Sequence, residues 1–252
     1  MKWIIIFFLG SIWGSFFFTL ALRYIIGSFQ RNAIIALISS SRCPKCQSKI
    51  SIPYLIPIIG YLLLNGRCQN CKKRVSPLYP IFEVIYGILL ILIIRGYGIN
   101  AYSATIFLIA GVIITISIID VKILTIPNSL ILVFIILSIY PIILNNTLWD
   151  TLYGLLLMSL FFIIILFLFP GSFGGGDLKF ASSIGLLFGI EQSIVVLEAA
   201  LCLGAIMGII YALKTGKGLK TKIPFAPFLS MGVIISFLYG RDIVLIYYRM
   251  IY

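Results

Sequence analysis

The chain has 252 residues, is 62% hydrophobic and only 10% charged, and carries a formal net charge of +12. Soluble domains carry about 25% charged residues, so a soluble globular protein is excluded. Recurring apolar runs near 20 residues long point instead to an all-α, polytopic membrane protein. The chain has no histidine, which removes Ser-His and Cys-His nucleophile pairs, histidine metal ligands and the histidine zinc-protease motifs. Hydrolytic chemistry here must use carboxylates, Lys, Ser or Cys.

Trp3 to Leu22 is the first apolar span. It is too long for a signal-peptide core and has no small-x-small cleavage site, so it reads as a retained helix. Lys2 stands before it, whereas Arg23, Arg31, Arg42, Lys45 and Lys49 follow. The N-terminus is therefore expected outside and the next loop in the cytoplasm. That loop, residues 25–79, separates the first helix (1–24) from a seven-helix core (80–252).

The loop contains Cys43-Pro44-Lys45-Cys46 and Cys68-Gln69-Asn70-Cys71. Two CxxC pairs at this spacing match a four-cysteine zinc site. Each pair lets two thiolates converge on one tetrahedral ion, and Lys45, Arg67, Lys72 and Lys73 favour thiolates. Paired disulfides and free thiols are the alternatives. A cytoplasmic loop is reducing, which disfavours disulfides. Four thiolates leave no open position, so the expected zinc is structural. The stretch Ile52 to Leu64, broken by Pro53, Pro57 and Gly60, is too short and kinked to span. It is expected at the membrane surface or against the helices.

Seven further apolar spans follow: Pro80 to Ile94, Tyr102 to Ile119, Ser129 to Leu144, Trp149 to Phe169, Leu178 to Phe188, Ile194 to Leu213 and Phe225 to Tyr239. With the N-terminus outside, all Lys and Arg except Lys2, Arg95, Arg241 and Arg249 fall on the cytoplasmic side. This bias supports about eight spans with both termini outside, and it accounts for the basic balance without nucleic acid.

Only 7 residues are Asp or Glu. Asp177 closes the stretch Gly171-Ser172-Phe173-Gly174-Gly175-Gly176-Asp177-Leu178-Lys179. Consecutive glycines each cost a helix roughly 1 kcal/mol relative to Ala, so they serve a turn or a close approach of another backbone. Asp120 ends the third span, before Ile126-Pro127-Asn128. In the expected topology both aspartates lie at cytoplasmic helix ends, a depth that no other carboxylate pair shares. Two such aspartates in close approach cannot both ionise, so one keeps a proton and the pair can act as acid and base on a peptide bond. The alternative is two unrelated interfacial aspartates acting as helix caps or as partners of Lys122 or Lys179.

The combination resembles the type IV prepilin peptidases, bacterial membrane aspartic proteases that process prepilins and pseudopilins. The resemblance runs through Gly14-Ser15-Phe16, Ser41-Arg42-Cys43-Pro44-Lys45-Cys46, Gly66-Arg67-Cys68-Gln69-Asn70-Cys71 and Ser76-Pro77-Leu78-Tyr79-Pro80-Ile81-Phe82-Glu83. It continues in Asp120, Ile126-Pro127-Asn128, Gly174-Gly175-Gly176-Asp177-Leu178-Lys179 and Ile223-Pro224-Phe225-Ala226-Pro227-Phe228-Leu229. It implies that Asp120 and Asp177 are catalytic, with Gly174, Gly175, Gly176 and Lys179 at the substrate turn. It also implies cleavage in the cytoplasm after the glycine of a basic leader, and location in the bacterial inner membrane. Members with the cysteine loop often also N-methylate the new terminus with S-adenosylmethionine. The chain departs from the family in having Phe17 and Phe18 where an Asn is usual, and Leu55-Ile56-Pro57 then Gly60 where Asn-Ile-Pro and Ser are usual.

Two other classes remain open at this stage. A proton-coupled transporter would use Glu198 and the paired aspartates. A zinc-dependent nucleic-acid binder would use the basic loop, although the basic residues follow topology rather than cluster. Glu198 is expected to be a hydrogen-bonding residue within the bundle, and Cys202 a small buried one.

Overall fold

A computed structural model describes residues 1–27, 40–145, 147–171, 173–215 and 223–251. Arg31, Ser172, Lys217, Lys220 and Lys222 lie outside the described residues. Among the described residues the chain is helical, without strands, and seven helices are long and apolar enough to cross a membrane. The chain divides into two units, Met1–Gly98 and Ile99–Tyr252.

The first unit is built on α1 (Lys2–Ile25) and α3 (Leu78–Tyr97), which pack together. Gly10 and Gly14 bring the helices into contact: a Cβ on Gly10 would lie 2.6 Å from the Tyr86 carbonyl oxygen, and one on Gly14 2.8 Å from the Tyr86 Cβ. This is the small-xxx-small device by which membrane helices gain dispersion contacts, since lipid supplies no hydrophobic drive between them. One turn further on, Phe17 stacks on Tyr86, and Phe18 sits between Phe82 and Tyr79. Phe17 and Phe18 are thus buried packing residues.

Between these helices, the stretch Ile52 to Leu64 does not span, as expected. It forms a short 3₁₀ turn (Ile52–Leu55) and the one-turn helix α2 (Ile59–Leu63). Ile52, Leu62 and Leu63 are exposed, leaving an apolar outer face.

The second unit contains α4 (Ala101–Ile123), α5 (Asn128–Asn145), α6 (Leu148–Leu168), α7 (Gly175–Thr215) and α8 (Ala226–Ile251). α4 is its centre and the most buried of the spanning helices. It starts at a capping box, in which Asn100 accepts from the Ser103 N–H and Ser103 accepts from the Asn100 N–H. It ends at Leu124, which takes the left-handed conformation. α4 runs four residues past the expected end, so Asp120 sits inside its last turn.

The window Gly175–Lys214 contains 40 residues, about 60 Å of helix and twice the hydrocarbon thickness. It cannot be one crossing, and the backbone breaks at Gly189 (φ 70, ψ −166). The two halves correspond to the sixth and seventh expected spans, joined by one residue rather than a loop. Asp150, in the first turn of α6, holds the break: its Oδ1 accepts the Ile190 N–H at 3.0 Å. That amide opens the second half and would otherwise have no helical partner. The first half is fastened to α6 by Ser159–Ser182 at 2.8 Å and by the close approach of Gly154 and Gly185.

Candidate active site and metal centre

Asp120 and Asp177 come from the C-terminal turn of α4 and the first turn of α7. They are close enough to interact electrostatically. Asp120 is buried, and its Oδ2 accepts the N–H of Ala226, the first residue of α8, at 3.2 Å. The Phe225 N–H also reaches this carboxylate. Three helix ends therefore converge: α4 supplies one acid, α7 the other, and α8 the backbone donors that hold the first.

Asp177 occupies the third position of its helix. Its Oδ2 accepts the Gly174 N–H at 2.9 Å, which is one half of a capping box. The helix-cap reading of this residue is thus correct for one oxygen. The other, Oδ1, is buried and makes no hydrogen bond among the described residues. A bare buried carboxylate oxygen is costly in a merely structural role.

The three glycines differ from one another. Among the described residues of the turn the positive φ falls on Gly171 (φ +85), not on any of Gly174 to Gly176. A Cβ on Gly176 would lie 3.1 Å from Ile126 Cβ, so this glycine lets α7 pack on the Ile126-Pro127-Asn128 segment. A Cβ on Gly175 would meet nothing within 4 Å. Lys179 donates to Asn128 Oδ1 at 3.2 Å and ties the same two segments together.

Sequence reasoning gave no role to the α8 N-terminus. Phe225 lends its N–H to Asp120, and its ring packs on Phe173 of the glycine turn (centroids 4.7 Å apart) and on Phe162 of α6. Ser117, one turn before Asp120, meets Ser230 of α8 at 2.8 Å. The available signal was Pro224 and Pro227 bracketing a helix start. Glu198 accepts from the Tyr247 hydroxyl and Glu191 from that of Tyr248 at 2.6 Å, two links between α7 and α8. Cys202 is exposed, not buried. It lies on the outer face of α7, where a small apolar thiol suits lipid as well as a core.

In the first unit the four loop cysteines converge, with all Sγ atoms within 4.8 Å of one another. Cys43 to Cys71 and Cys46 to Cys68 are each 3.9 Å. Ligands on a tetrahedral zinc at about 2.3 Å would be about 3.8 Å apart, so the set fits that ion. The two CxxC turns are copies of each other. The Gln47 N–H bonds to the Cys43 carbonyl and the Lys72 N–H to the Cys68 carbonyl. Gln47 and Lys72 both take positive φ (58 and 55), and bridges Arg42–Lys49 and Arg67–Arg74 close the turns.

Hydrogen bonds from the Ser48 hydroxyl and backbone hold the Cys46 thiol down at about 6. The Cys71 and Asn70 amides lower Cys68. Cys71 is pulled down by the Lys73 N–H, but burial and the adjoining sulfurs outweigh this and push it up to about 11. Without a cation, four thiols this close resist full ionisation.

The fold and site define a polytopic helical membrane protein with a pair of aspartates at helix ends. Residues 8–97 match the bacterial peptidase A24 N-terminal domain, and residues 106–209 match the type IV leader peptidase family. A prepilin leader peptidase/N-methyltransferase of Bacillus subtilis (strain 168) is 30% identical over 250 residues, covering 98% of each chain. Proteins with the same description from Stutzerimonas stutzeri and Pseudomonas aeruginosa are 28% and 26% identical, covering 81% and 82% of this chain and 73% and 74% of theirs. No solved structure gives a significant match. The chain belongs to the prepilin leader peptidase/N-methyltransferase family.

Proposed function

We propose that the chain is a membrane aspartic endopeptidase that removes the basic leader of a type IV prepilin or pseudopilin after a glycine. The observation that carries this is the pair Asp120 and Asp177. Each has one oxygen held by backbone N–H, and Asp177 Oδ1 has no partner among the described residues. The pair shares one proton. The ionised aspartate takes a proton from water as the water oxygen attacks the scissile carbonyl carbon, and the protonated one donates to the carbonyl oxygen. Collapse of the tetrahedral intermediate breaks the C–N bond, and the proton taken from water passes to the leaving amine. The open space beside Gly175 lets an extended substrate backbone lie along the start of α7.

The basic residues support an orientation with both termini outside and the aspartates at the cytoplasmic surface of a bacterial inner membrane. A basic leader cannot cross the bilayer cheaply, which keeps the scissile bond at that edge. Residues 25–79 serve as a cytoplasmic module, with a structural zinc held by Cys43, Cys46, Cys68 and Cys71. When bound, S-adenosylmethionine would supply the methyl group for the new N-terminus. A transporter has no observation in its favour: Glu198 is engaged by Tyr247, and the matched families are peptidases. Intact mass spectrometry of a co-expressed prepilin tests the reading. It should lose its leader after the glycine, with a further 14 Da (about one methyl) if methylation operates. An uncut prepilin contradicts it.

A further inference from the structure

One buried carboxylate lies outside the aspartate pair. Glu83, on α3, is 6% exposed and is the only acid in residues 1–98, against eleven Lys and Arg. Its Oε2 accepts the Ile58 N–H at 2.7 Å. Ile58 takes φ 64, ψ −53, a conformation that a β-branched residue avoids, so the backbone is strained where it meets the carboxylate. The Ser15 hydroxyl also donates to this carboxylate. Among the described residues both partners are neutral, and a buried carboxylate held by neutral donors is suited to receive a cation.

Ser15 also lines a cavity of about 230 Å³, together with Phe16, Thr19, Leu20, Arg23, Ser41 and Leu55. A hydroxyl has one proton and two lone pairs. The proton goes to Glu83, which as a carboxylate only accepts, so the Ser15 oxygen turns lone pairs to the cavity. The cavity wall is therefore an acceptor backed by a negative charge, with the Arg23 guanidinium also on its lining to donate to a neighbouring carbonyl or carboxylate. The volume is below that of sites enclosing drug-sized ligands but admits an amino-acid head.

We propose that Ser15 and Glu83 form a subsite for an α-ammonium group carried next to a carbonyl or carboxylate. The proposal rests on the methyl-transfer reading above for its two sources. One is the new N-terminus of a cleaved substrate, and the other is the amino-acid head of the methyl donor. Glu83 acts through Ser15 and by charge, as a positioning residue.

The test is binding to the purified full chain. The probes are a short peptide with a free N-terminal Phe, the same peptide acetylated, S-adenosylhomocysteine, and its N-acetylated form. At least one free-amine probe should bind, its acetylated form should bind about tenfold or more weakly, and Glu83→Gln and Ser15→Ala should reproduce that loss. Which probe binds identifies the source. Equal binding of free and acetylated probes, no binding of either free-amine probe, or full binding by both variants overturns the proposal. The acetylation arm uses unaltered protein, so it stands even if a variant fails to fold. Prepilin cleavage by Glu83→Gln checks that the second unit is intact. A methylated product from Glu83→Gln sinks the subsite but leaves methyl transfer standing. An unmethylated product from the unaltered chain with amine-dependent binding does the reverse.

Discussion

Gly175 and Gly176 are adjacent and chemically identical, yet the surroundings give them different work. Gly176 faces Ile126 at a distance that a methyl group cannot share without displacement, whereas Gly175 faces open space. Gly176→Ala should overpack the contact between α7 and the Ile126 segment and destabilise by about 1–3 kcal/mol. A lowered melting temperature in detergent would register it. Gly175→Ala should leave the melting temperature unchanged or slightly raised, and should weaken cleavage chiefly through KM, because its methyl enters the path assigned to the substrate backbone. Unaltered KM in Gly175→Ala would move the substrate path elsewhere.

At the scale of the element, the broken helix α7 sets the direction of Asp177. Gly189 admits no side chain: its φ is +70, and a Cβ there would run into the Asp150 carboxylate. Gly189→Ala should therefore be severely destabilising. Asp150→Ala should cost about 0.5–2 kcal/mol, the range for a lost N-cap, because Ile190 loses its acceptor. Thermal unfolding that ranks the two variants in that order supports the capped break. The four-cysteine turns make a separate element. Purified protein should carry about one zinc per chain, and Cys46→Ser or a strong chelator should remove it and loosen residues 40–75 in hydrogen exchange, since metal binding and local folding are coupled. Protein purified without chelator and free of metal would contradict the assignment. Because these cysteines belong to the first unit and the aspartates to the second, cleavage should fall only in part.

Over the whole molecule, the sequence revealed what depends on local composition. The apolar runs gave the spanning helices, because hydrocarbon admits no other use for twenty apolar residues. The CxxC spacing gave the metal set, because two residues between thiols nearly fix the turn. The joining of the last α7 spans into one interrupted helix was not legible, since one glycine with a distant carboxylate cap looks like a short loop. Nor was the support of Asp120 legible, because its donors lie more than a hundred residues away and are backbone groups without a side-chain signature. Cys202 was misplaced because the face of a membrane helix that looks outward is as apolar as the one that looks inward.

The central claim is that one proton shared by Asp120 and Asp177 cuts the leader, and the direct measurement is cleavage of a purified prepilin by Asp120→Asn and Asp177→Asn, read by intact mass. Asn keeps the shape and an acceptor for the Ala226 or Gly174 amide but cannot exchange a proton. Each variant should fold, melt near the unaltered protein, and cleave at least about a hundredfold more slowly, the lower range for losing a general acid or base. Cleavage within a few-fold of the unaltered rate by either variant would contradict the account.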